Sequence, residues 1–416
     1  MRLKKIINDN YYMYLSLFMF VLGVLWINLV NTQPYSDFDY YYTVAKNVAN
    51  GLEWGNTYTA VGYSIFLGFI FKIFGSGLIV VKIVNLILVT MNNILFFKIL
   101  KKVNIKEIDR KFIFALFVFF PSNLCYISLV AGELLFTFIL LLASYIYFSE
   151  MKYKYVFIGI LTGLNTMIKP FFIVFFFAIF LVDLIVDKKL YAAIKNCIIV
   201  LIFSALVISP WIYRNTQLVG QFTYVSNNGG KVLYINNNSQ NEWGRWMDAS
   251  DVKNSIVNTD EFKNANVTQQ NKMFSDAAKE WIKSHPKEFL ILGSKRLANL
   301  YFAGDDDVSY SFHGSNISNF IKYRVAAIST LIRFIIFAPA ILYILFYSFI
   351  VLKNIILKRF KKIDKYSLYN LVIFYMFTVI YFVTEGQGRY AFPLIFILVY
   401  YFYFMMKKLT LAFHKA

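Results

Sequence analysis

Long apolar runs, separated by short polar segments, recur along most of this chain. Ten of them come close to or exceed the length at which an α-helix crosses about 30 Å of hydrocarbon. The runs are continuous rather than alternating, which favours membrane helices over a transmembrane β-barrel. The predicted spans are residues 11–31, 78–98, 112–130, 133–149, 155–169, 171–187, 196–213, 324–352, 367–384 and 390–406.

One apolar segment, Val61 to Phe74, is too short for this series and is followed by Gly75-Ser76-Gly77. A helix of this length, about 14 residues, rises only about 21 Å. Counting it as a span would also place the basic cluster at 98–111 outside. We therefore predict a juxtamembrane or re-entrant helix; if the segment crosses, the number of spans becomes eleven.

Two longer polar regions divide the chain. The first, residues 32–77, follows the first span, and the second precedes the eighth span and is rich in asparagine. In the second, Phe274 to Tyr301 has the pattern of an amphipathic helix broken at His285-Pro286. We predict an N-terminal transmembrane module (1–213), an extracytoplasmic subdomain (214–323) and C-terminal transmembrane helices (324–416).

The composition agrees with a membrane protein, since 59% of the 416 residues are hydrophobic and 20% are aromatic. The formal net charge of +19 would by itself suit a nucleic-acid-binding protein. The lysines, however, are clustered between apolar runs, where the positive-inside rule expects cytoplasmic loops. The basic clusters lie at residues 2–5, 98–111, 152–154, 188–195, 353–365 and 407–415. Ten crossings with both termini inside make every cluster cytoplasmic, and no nucleic-acid partner is expected.

The first apolar run is long and lacks a small-residue cleavage site, so we interpret it as a retained span rather than a signal peptide. Cys125 and Cys197 fall near opposite ends of their spans. They are predicted to lie on opposite sides of the membrane and not to form a disulfide.

Two carboxylates, Asp37 and Asp39, follow the first span directly. Acidic side chains beside a bilayer cost free energy unless they face water or a site. One interpretation is helix capping, in which Ser36 or Asp37 stabilises the N-terminus of the next helix. The other is a general base, a ligand of a divalent cation, or both. One carboxylate can serve both purposes, so the two interpretations are compatible.

Three further charged residues stand at predicted outer ends of spans. Glu133 either sits in headgroup water or orients a substrate or a basic side chain. Lys169 and Arg214 are outer-side cations, against the positive-inside trend. Each either snorkels to the interface or faces a lipid phosphate.

The turn Glu385-Gly386-Gln387-Gly388-Arg389 joins the last two spans on the outer side. Either a local ion pair between Glu385 and Arg389 or a binding loop for an anion would explain its charges. Asp305 to Asp307 are interpreted as a solvated acidic loop rather than a cation site. The histidines are too scattered for a metal cluster, and neither a phosphate-binding glycine-rich loop nor a nucleophile elbow is found.

Taken together, these segments resemble the GT-C class of polytopic glycosyltransferases. The nearest likeness is to family 39, the dolichyl-phosphate-mannose-protein mannosyltransferase-like proteins of bacteria. The resemblance covers most of the chain and depends on the order and common outer placement of short motifs. These are Asp37-Phe38-Asp39-Tyr40-Tyr41 with Asn50-Gly51, Gly132-Glu133, Lys169-Pro170, Ser209-Pro210-Trp211 with Arg214-Asn215, Lys283-Ser284-His285-Pro286 and Gly388-Arg389-Tyr390-Ala391-Phe392-Pro393. The first motif departs from the adjacent Asp-Glu common in the family, which leaves open which aspartate is the base.

The resemblance implies an all-α, GT-C-like membrane protein with ten or eleven transmembrane helices, a juxtamembrane first outer loop and one larger outer loop. It also implies an inverting glycosyltransferase of the cell membrane, with its active site outside. The enzyme would move a hexosyl or pentosyl group from a polyprenyl-phosphate donor to a hydroxyl of an extracytoplasmic glycan, lipid or protein.

The same resemblance suggests roles for individual residues. Asp37 is the first choice for the catalytic carboxylate, Asp39 is the second, and Glu133 completes the catalytic set. The residues expected to bind the lipid phosphate or the sugar are Lys169, Arg214, Arg389, Glu385 and Tyr40. No cofactor is assigned, and a divalent cation held by Asp37 and Asp39 stays open.

Two other classes of function compete with the enzyme. A transporter or flippase of lipid-linked sugars would need ionisable residues deep within spans or paired broken helices. Most charges lie at span ends instead, with Lys72, Lys82 and Asp183 as exceptions. The third class is a non-catalytic partner in envelope assembly.

Overall fold

The computed structural model describes residues 10–413, so the basic cluster at residues 2–5 lies outside the described residues. Over this range the chain is helical and has no β-strand. The helices are α1 (Tyr11–Leu29), α2 (Asp37–Ala49), α3 (Gly62–Phe74), α4 (Leu78–Lys102), α5 (Glu107–Val118), α6 (Pro121–Cys125), α7 (Glu133–Tyr147), α8 (Lys154–Ile168), α9 (Phe175–Asp187), α10 (Leu190–Val219), α11 (Gly229–Asn236), α12 (Asp260–Asn264), α13 (Val267–Ser284), α14 (Pro286–Phe302), α15 (Asp305–Ser311), α16 (Asn319–Ile356), α17 (Lys365–Val383) and α18 (Ile395–Phe413). Short 3-10 helices are Tyr126–Ser128, Pro170–Val174, Ala249–Asp251, Ile256–Asn258, Phe360–Lys362 and Gly388–Leu394.

Each predicted span corresponds to a helix or a pair of helices. Among the described residues, seven helices are long and apolar enough to cross a membrane, and α5 with the helix after its 46° bend gives an eighth. The other two predicted spans are α7 and α8, which are apolar but have only 15 residues each. Most of α7 is buried by neighbouring helices rather than exposed, so its length need not match the hydrocarbon thickness. The chain is therefore a multi-pass, all-α membrane protein.

The two ends of the helical bundle differ in chemistry. At one end, ion pairs join the loops that carry the described basic clusters: Lys407 lies 2.6 Å from Asp109, and Lys365 lies 3.4 Å from Asp187. The opposite end, here called the cavity end, carries α2, α3 and the long segment between α10 and α16. The described basic clusters thus share one end, which agrees with the charge pattern.

Helix α3 begins and ends at the cavity end. It packs against α2 so closely that a Cβ on Gly68 would lie 2.6 Å from the Val48 side chain. The Tyr42 hydroxyl donates to the carbonyl of Ser76 at 2.5 Å, just beyond α3. One turn into α4, Lys82 donates to the Val30 carbonyl at 2.9 Å, immediately after α1. Both ends of the segment thus lie at the same end of the bundle, which agrees with the prediction that it does not cross the membrane.

The segment between α10 and α16 has its own small apolar core, which includes Tyr234, Phe262 and Phe274. Helices α13 and α14 meet at His285-Pro286, as the sequence predicted. Helix α13 starts earlier than expected, at Val267, because Asn266 caps it and Gln269 completes a capping box. The two cysteines are free, as predicted.

The interpretation of Asp305 to Asp307 as a solvated loop was wrong. These residues open α15, and the Asp307 carboxylate is buried, where it lies 2.9 Å from the Arg333 guanidinium and accepts from Ser122 at 2.5 Å. Asp306 accepts from the Gly388 N–H at 3.0 Å. The sequence pattern could not reveal this, because the partners come from α6, α16 and the turn before α18.

Candidate functional site

A cavity of about 590 Å³ opens at the cavity end. Part of its wall is made by the ends of membrane helices, and part by α2 and the long segment between α10 and α16. The lining residues on which the site's chemistry depends are Asp37, Tyr41, Tyr58, Glu133, Lys169, Asn228, Trp246, Tyr310, Tyr381, Glu385, Gln387, Arg389 and Tyr390. Three carboxylates and two cations thus share one enclosed space.

Asp37 meets Arg389 across this cavity. Arg389 donates from Nη2 to the Asp37 carboxylate at 2.7 Å, and 51% of the Asp37 side chain stays exposed. Asp37 is the first residue of α2, yet no side chain caps that helix. Ser36, in the capping position, has φ 52° instead of the usual extended conformation. No side-chain cap is therefore present, but Asp37 and Asp39 lie in the first turn of α2, where the helix dipole favours carboxylates.

A second ion pair joins Glu133 to Lys169 at 3.3 Å. Pro170 ends α8, so Lys169 has an extended backbone and its side chain enters the cavity, 5.0 Å from the centre of the Tyr390 ring. Glu133 is the first residue of α7, where the helix dipole favours a carboxylate. Of the two interpretations of Glu133, the observed one is that it orients a basic side chain.

The third carboxylate, Glu385, does not form the local ion pair with Arg389 that the sequence allowed. It accepts from the Gln387 amide at 2.5 Å and from the Tyr390 hydroxyl at 3.1 Å. Burial raises the pKa of Glu385 above its usual value, although the nearby Arg389 charge opposes this shift. Arg389 in turn donates to the Tyr390 hydroxyl at 3.3 Å, so one tyrosine links both charges.

The turn that carries Arg389 is fixed from behind by backbone hydrogen bonds. The Gly388 carbonyl accepts from Arg333 at 2.8 Å, and its N–H donates to Asp306. A Cβ on Gly386 would lie 2.1 Å from the Arg296 carbonyl, and one on Gly388 would lie 2.1 Å from the Ala303 carbonyl. The glycines therefore allow close backbone packing, which presents Arg389 to the cavity.

Three of the predicted site residues do not line the cavity. Asp39 is exposed on another face of α2. Arg214 donates to the Gly55 carbonyl and, at 2.9 Å, to Asn215. The Tyr40 hydroxyl donates to Asn56 at 2.9 Å. Arg214 and Tyr40 thus hold the loop between α2 and α3, and they act on the cavity only through that loop.

Sequence reasoning missed the aromatic wall of the cavity, made of Tyr41, Tyr58, Trp246 and Tyr310. Burial raises the pKa of Tyr58 to about 12 and shifts the pKa values of Tyr41 and Tyr310 in the same direction. These hydroxyls are neutral hydrogen-bonding groups near pH 7. No local signal marks them, because 20% of the chain is aromatic.

The donor set does not suit a metal ion held by protein ligands alone. Among residues 10–413, no group of three or more His, Cys, Asp or Glu side chains is placed to share an ion. Asp37 is engaged by Arg389, and Asp39 lies outside the cavity lining.

No protein-family model matches the sequence, and no curated protein matches it. Two solved structures are similar. One is the crystal structure of the Archaeoglobus fulgidus oligosaccharyltransferase tethered with an acceptor peptide containing the NVT sequon via a disulfide bond, with a TM-score of 0.53. The other is the archaeal oligosaccharyltransferase AglB from Archaeoglobus fulgidus in complex with an inhibitory peptide and a dolichol-phosphate, with a TM-score of 0.52.

Each alignment has 11% identity and covers 97% of this chain but 50% of the other, so the chain spans about half the length of these structures. At this identity the likeness shows the fold alone. The protein has a GT-C-like membrane fold.

Proposed function

We propose that this protein is an inverting glycosyltransferase of the cell membrane, similar to bacterial family 39. It moves a hexosyl or pentosyl group from a polyprenyl-phosphate donor to an acceptor hydroxyl on the outer side. The observation that carries the proposal is the pair of carboxylate–cation contacts, Asp37–Arg389 and Glu133–Lys169, in one cavity where membrane helices meet the outer segment. The dolichol-phosphate bound to one similar structure adds weight to a lipid-phosphate donor.

The cavity has the parts that this reaction needs. The lipid phosphate is a good leaving group that needs positive charge more than an acid. Arg389 and Lys169 supply that charge, and the apolar ends of the membrane helices, such as Ile168 and Phe171, admit a lipid from the bilayer side. Arg389 donates from Nη2 to Asp37, and the same group can donate to the phosphate once Asp37 is displaced.

The two ion pairs suggest an order of events. Without substrate, each cation is neutralised by a carboxylate, and the phosphate competes for Arg389 and Lys169. Its arrival frees Asp37 from its ion pair. Asp37 then takes the proton of the acceptor hydroxyl while the acceptor oxygen attacks the anomeric carbon from the face opposite the leaving group. The bond from the anomeric carbon to the phosphate oxygen breaks, and the phosphate leaves with both electrons.

The chain offers a matched pair of variants for a test. Asp37→Asn and Asp39→Asn change neighbouring exposed carboxylates on one helix, but only Asp37 lines the cavity. We expect Asp37→Asn to lower turnover about 10²-fold or more, and Asp39→Asn to keep turnover near that of the unmodified protein. The assay is transfer of labelled sugar from a polyprenyl-phosphate donor by purified protein. Near-normal turnover in both variants would refute the role of the first outer loop.

The acceptor can be identified in cells. Mass spectrometry of envelope glycans, lipids and proteins from a deletion strain, beside its parent, should show one hexose or pentose missing from a defined acceptor. An unchanged profile would contradict the proposal and favour transport or scaffolding.

The observed contacts do not favour transport. Lys82 is buried but donates to the Val30 carbonyl, and Asp183 lies toward the end opposite the cavity. There Asp183 accepts from Tyr147 at 2.6 Å and is fully engaged with its neighbours. Both residues have structural partners instead of the free, deep charge that a coupling site needs.

A further inference from the structure

Two tryptophans are displayed on the outer segment near the cavity mouth. Trp243 and Trp246 are 70% and 51% exposed, and they stand between α11 and the next 3-10 helix, where the chain has no regular secondary structure. Tryptophan is among the residue types that most often carry binding energy at contact surfaces.

The chain bearing these tryptophans is rigidly built. Asn238 accepts from the N–H groups of Gln240 and Asn241, both at 2.9 Å. Asn241 accepts from the Gly244 N–H at 2.6 Å and donates to the Arg245 carbonyl at 2.8 Å. Both asparagines are buried, so this backbone is fixed by satisfied polar groups and not by the tryptophans. The exposed rings are therefore not needed to hold this backbone in place.

Trp246 differs from Trp243 because it lines the cavity, together with Tyr58 and Asn228. The Asn227 N–H donates to the Thr57 carbonyl at 2.8 Å, which ties the Tyr58 loop to the outer segment. The Lys231 ammonium lies 5.3 Å from the centre of the Trp246 ring and 5.7 Å from that of the Tyr58 ring. Within residues 10–413, no carboxylate lies within ion-pair distance of Lys231.

This combination suits a sugar ring that carries a negative charge. The face of an aromatic ring is electron-rich and attracts the weakly positive C–H groups on the flat side of a pyranose. An amide such as that of Asn228 can bind the hydroxyls at the ring edge. Lys231 makes no direct ion pair, although it interacts electrostatically with Asp248, and its ammonium adds attraction for a phosphate or carboxylate group on the sugar.

We infer that Tyr58, Trp246 and Asn228 form the acceptor subsite, that this subsite binds a saccharide, and that Lys231 selects an anionic one. The inference rests on the proposed function and names its acceptor class. The subsite belongs to the acceptor because its residues come from outer loops, whereas the candidate phosphate ligands lie at the ends of membrane helices. A polypeptide acceptor would gain less, since it lacks the flat C–H face that two aromatic rings can cover.

Direct binding to the full-length protein in detergent tests the inference without donor or turnover. The probes are a neutral trisaccharide, a uronic-acid trisaccharide and a peptide of the same net charge, each measured by isothermal titration calorimetry. We expect the acidic trisaccharide to bind best. Trp246→Ala should weaken its binding about 10-fold, and the matched Trp243→Ala, in the same loop but outside the cavity lining, should change it less than about twofold.

Lys231→Gln tests the role of charge. It should remove the preference for the acidic over the neutral trisaccharide and leave binding of the neutral trisaccharide unchanged. Equal losses in Trp243→Ala and Trp246→Ala would overturn the stacking role, and an unchanged preference in Lys231→Gln would overturn the charge role. Binding of the peptide in place of both trisaccharides would overturn the acceptor class.

These outcomes are separable from failure of the enzyme proposal. If saccharide binding follows this pattern but no sugar is transferred, the subsite stands and the transferase proposal falls. If Asp37→Asn abolishes transfer but Trp246→Ala alters neither acceptor binding nor KM, the transferase stands and the subsite falls.

Discussion

Two arginine–aspartate pairs contact the turn that carries Gly388 and Arg389. They have the same chemistry but differ in their exposure to water. In Arg333–Asp307 the side chains are 1% and 0% exposed, and the aspartate also accepts from Ser122 and Tyr126. In Arg389–Asp37 they are 11% and 51% exposed, and the pair faces the cavity. Arg333 of the first pair donates to the Gly388 carbonyl and so fixes the turn. Arg389 of the second pair extends from that turn into the cavity.

The difference shows how burial assigns a role to an ion pair. A closed pair that neither water nor a ligand reaches has no capacity for a ligand, so its contribution is to position the backbone. An open pair that faces the cavity can exchange its carboxylate for another anion. Breaking the closed pair should therefore lower stability, and breaking the open pair should lower turnover.

The largest expected effect is on stability, from the closed pair. Asp307→Asn leaves the Arg333 charge buried without its counterion, which typically costs about 3–5 kcal/mol. The loss should appear as a lower midpoint of thermal unfolding in detergent, with activity lost only as the folded fraction falls. An unchanged midpoint would mean that the pair is not the anchor of the Gly388 turn.

The open pair should give the opposite result. Arg389→Ala is expected to lower turnover about 10²-fold or more, because the leaving phosphate loses a preorganised cation. Its midpoint of thermal unfolding should fall less than that of Asp307→Asn, since Asp37 remains half exposed to water. If Arg389→Ala instead lowers the unfolding midpoint as much as Asp307→Asn does and leaves turnover near normal, Arg389 is a structural residue. The two ion pairs would then not differ in role.

Lys169→Ala extends the test to the second open pair. Turnover should fall about 10²-fold, as expected for a phosphate-binding cation. Glu133→Gln is the matched control, because it removes the carboxylate partner and keeps the lysine charge. It should lower the KM for the lipid-phosphate donor if donor and carboxylate compete for Lys169. A raised KM would contradict the proposed exchange.

The smallest expected effect concerns pH and the third carboxylate. Burial raises the pKa of Glu385 in the folded state above its ordinary value, so folding favours the protonated form. Its contribution to stability is therefore present below the ordinary pKa and lost as pH rises through the raised value. Glu385→Gln lacks this loss, so its unfolding midpoint relative to the unmodified protein should increase between pH 4 and pH 8. A constant difference would contradict the shift.

Much of the site's polar composition was readable from the sequence, because polar residues at the ends of apolar runs are exceptional. Asp37, Glu133, Lys169, Glu385 and Arg389 stood out for that reason, and all five line the cavity. Arg214 and Tyr40 stood out equally but bind the α2–α3 loop instead. The position of a charged residue at the end of a span predicts its depth in the membrane. It does not predict the direction of its side chain.

The ion-pair partners of these charged residues could not be predicted from the sequence. One of the two alternatives for this turn paired Arg389 with Glu385, four residues away, but Arg389 meets Asp37, far from it in the chain. Asp307 was expected in water, but it is buried against Arg333. The aromatic wall was invisible because tyrosine is common throughout the chain.

The sequence by itself determined that this is a multi-pass helical membrane protein and which end of the bundle carries the basic loops, and it predicted that Val61 to Phe74 does not cross. The lengths of apolar runs and the positions of lysines depend only on consecutive residues, so they can be read directly from the sequence. Only the tertiary structure decided which charges pair, which are closed and which open onto a cavity. Those outcomes depend on contacts between residues far apart in the chain and on water access, and neither is recorded in a local pattern.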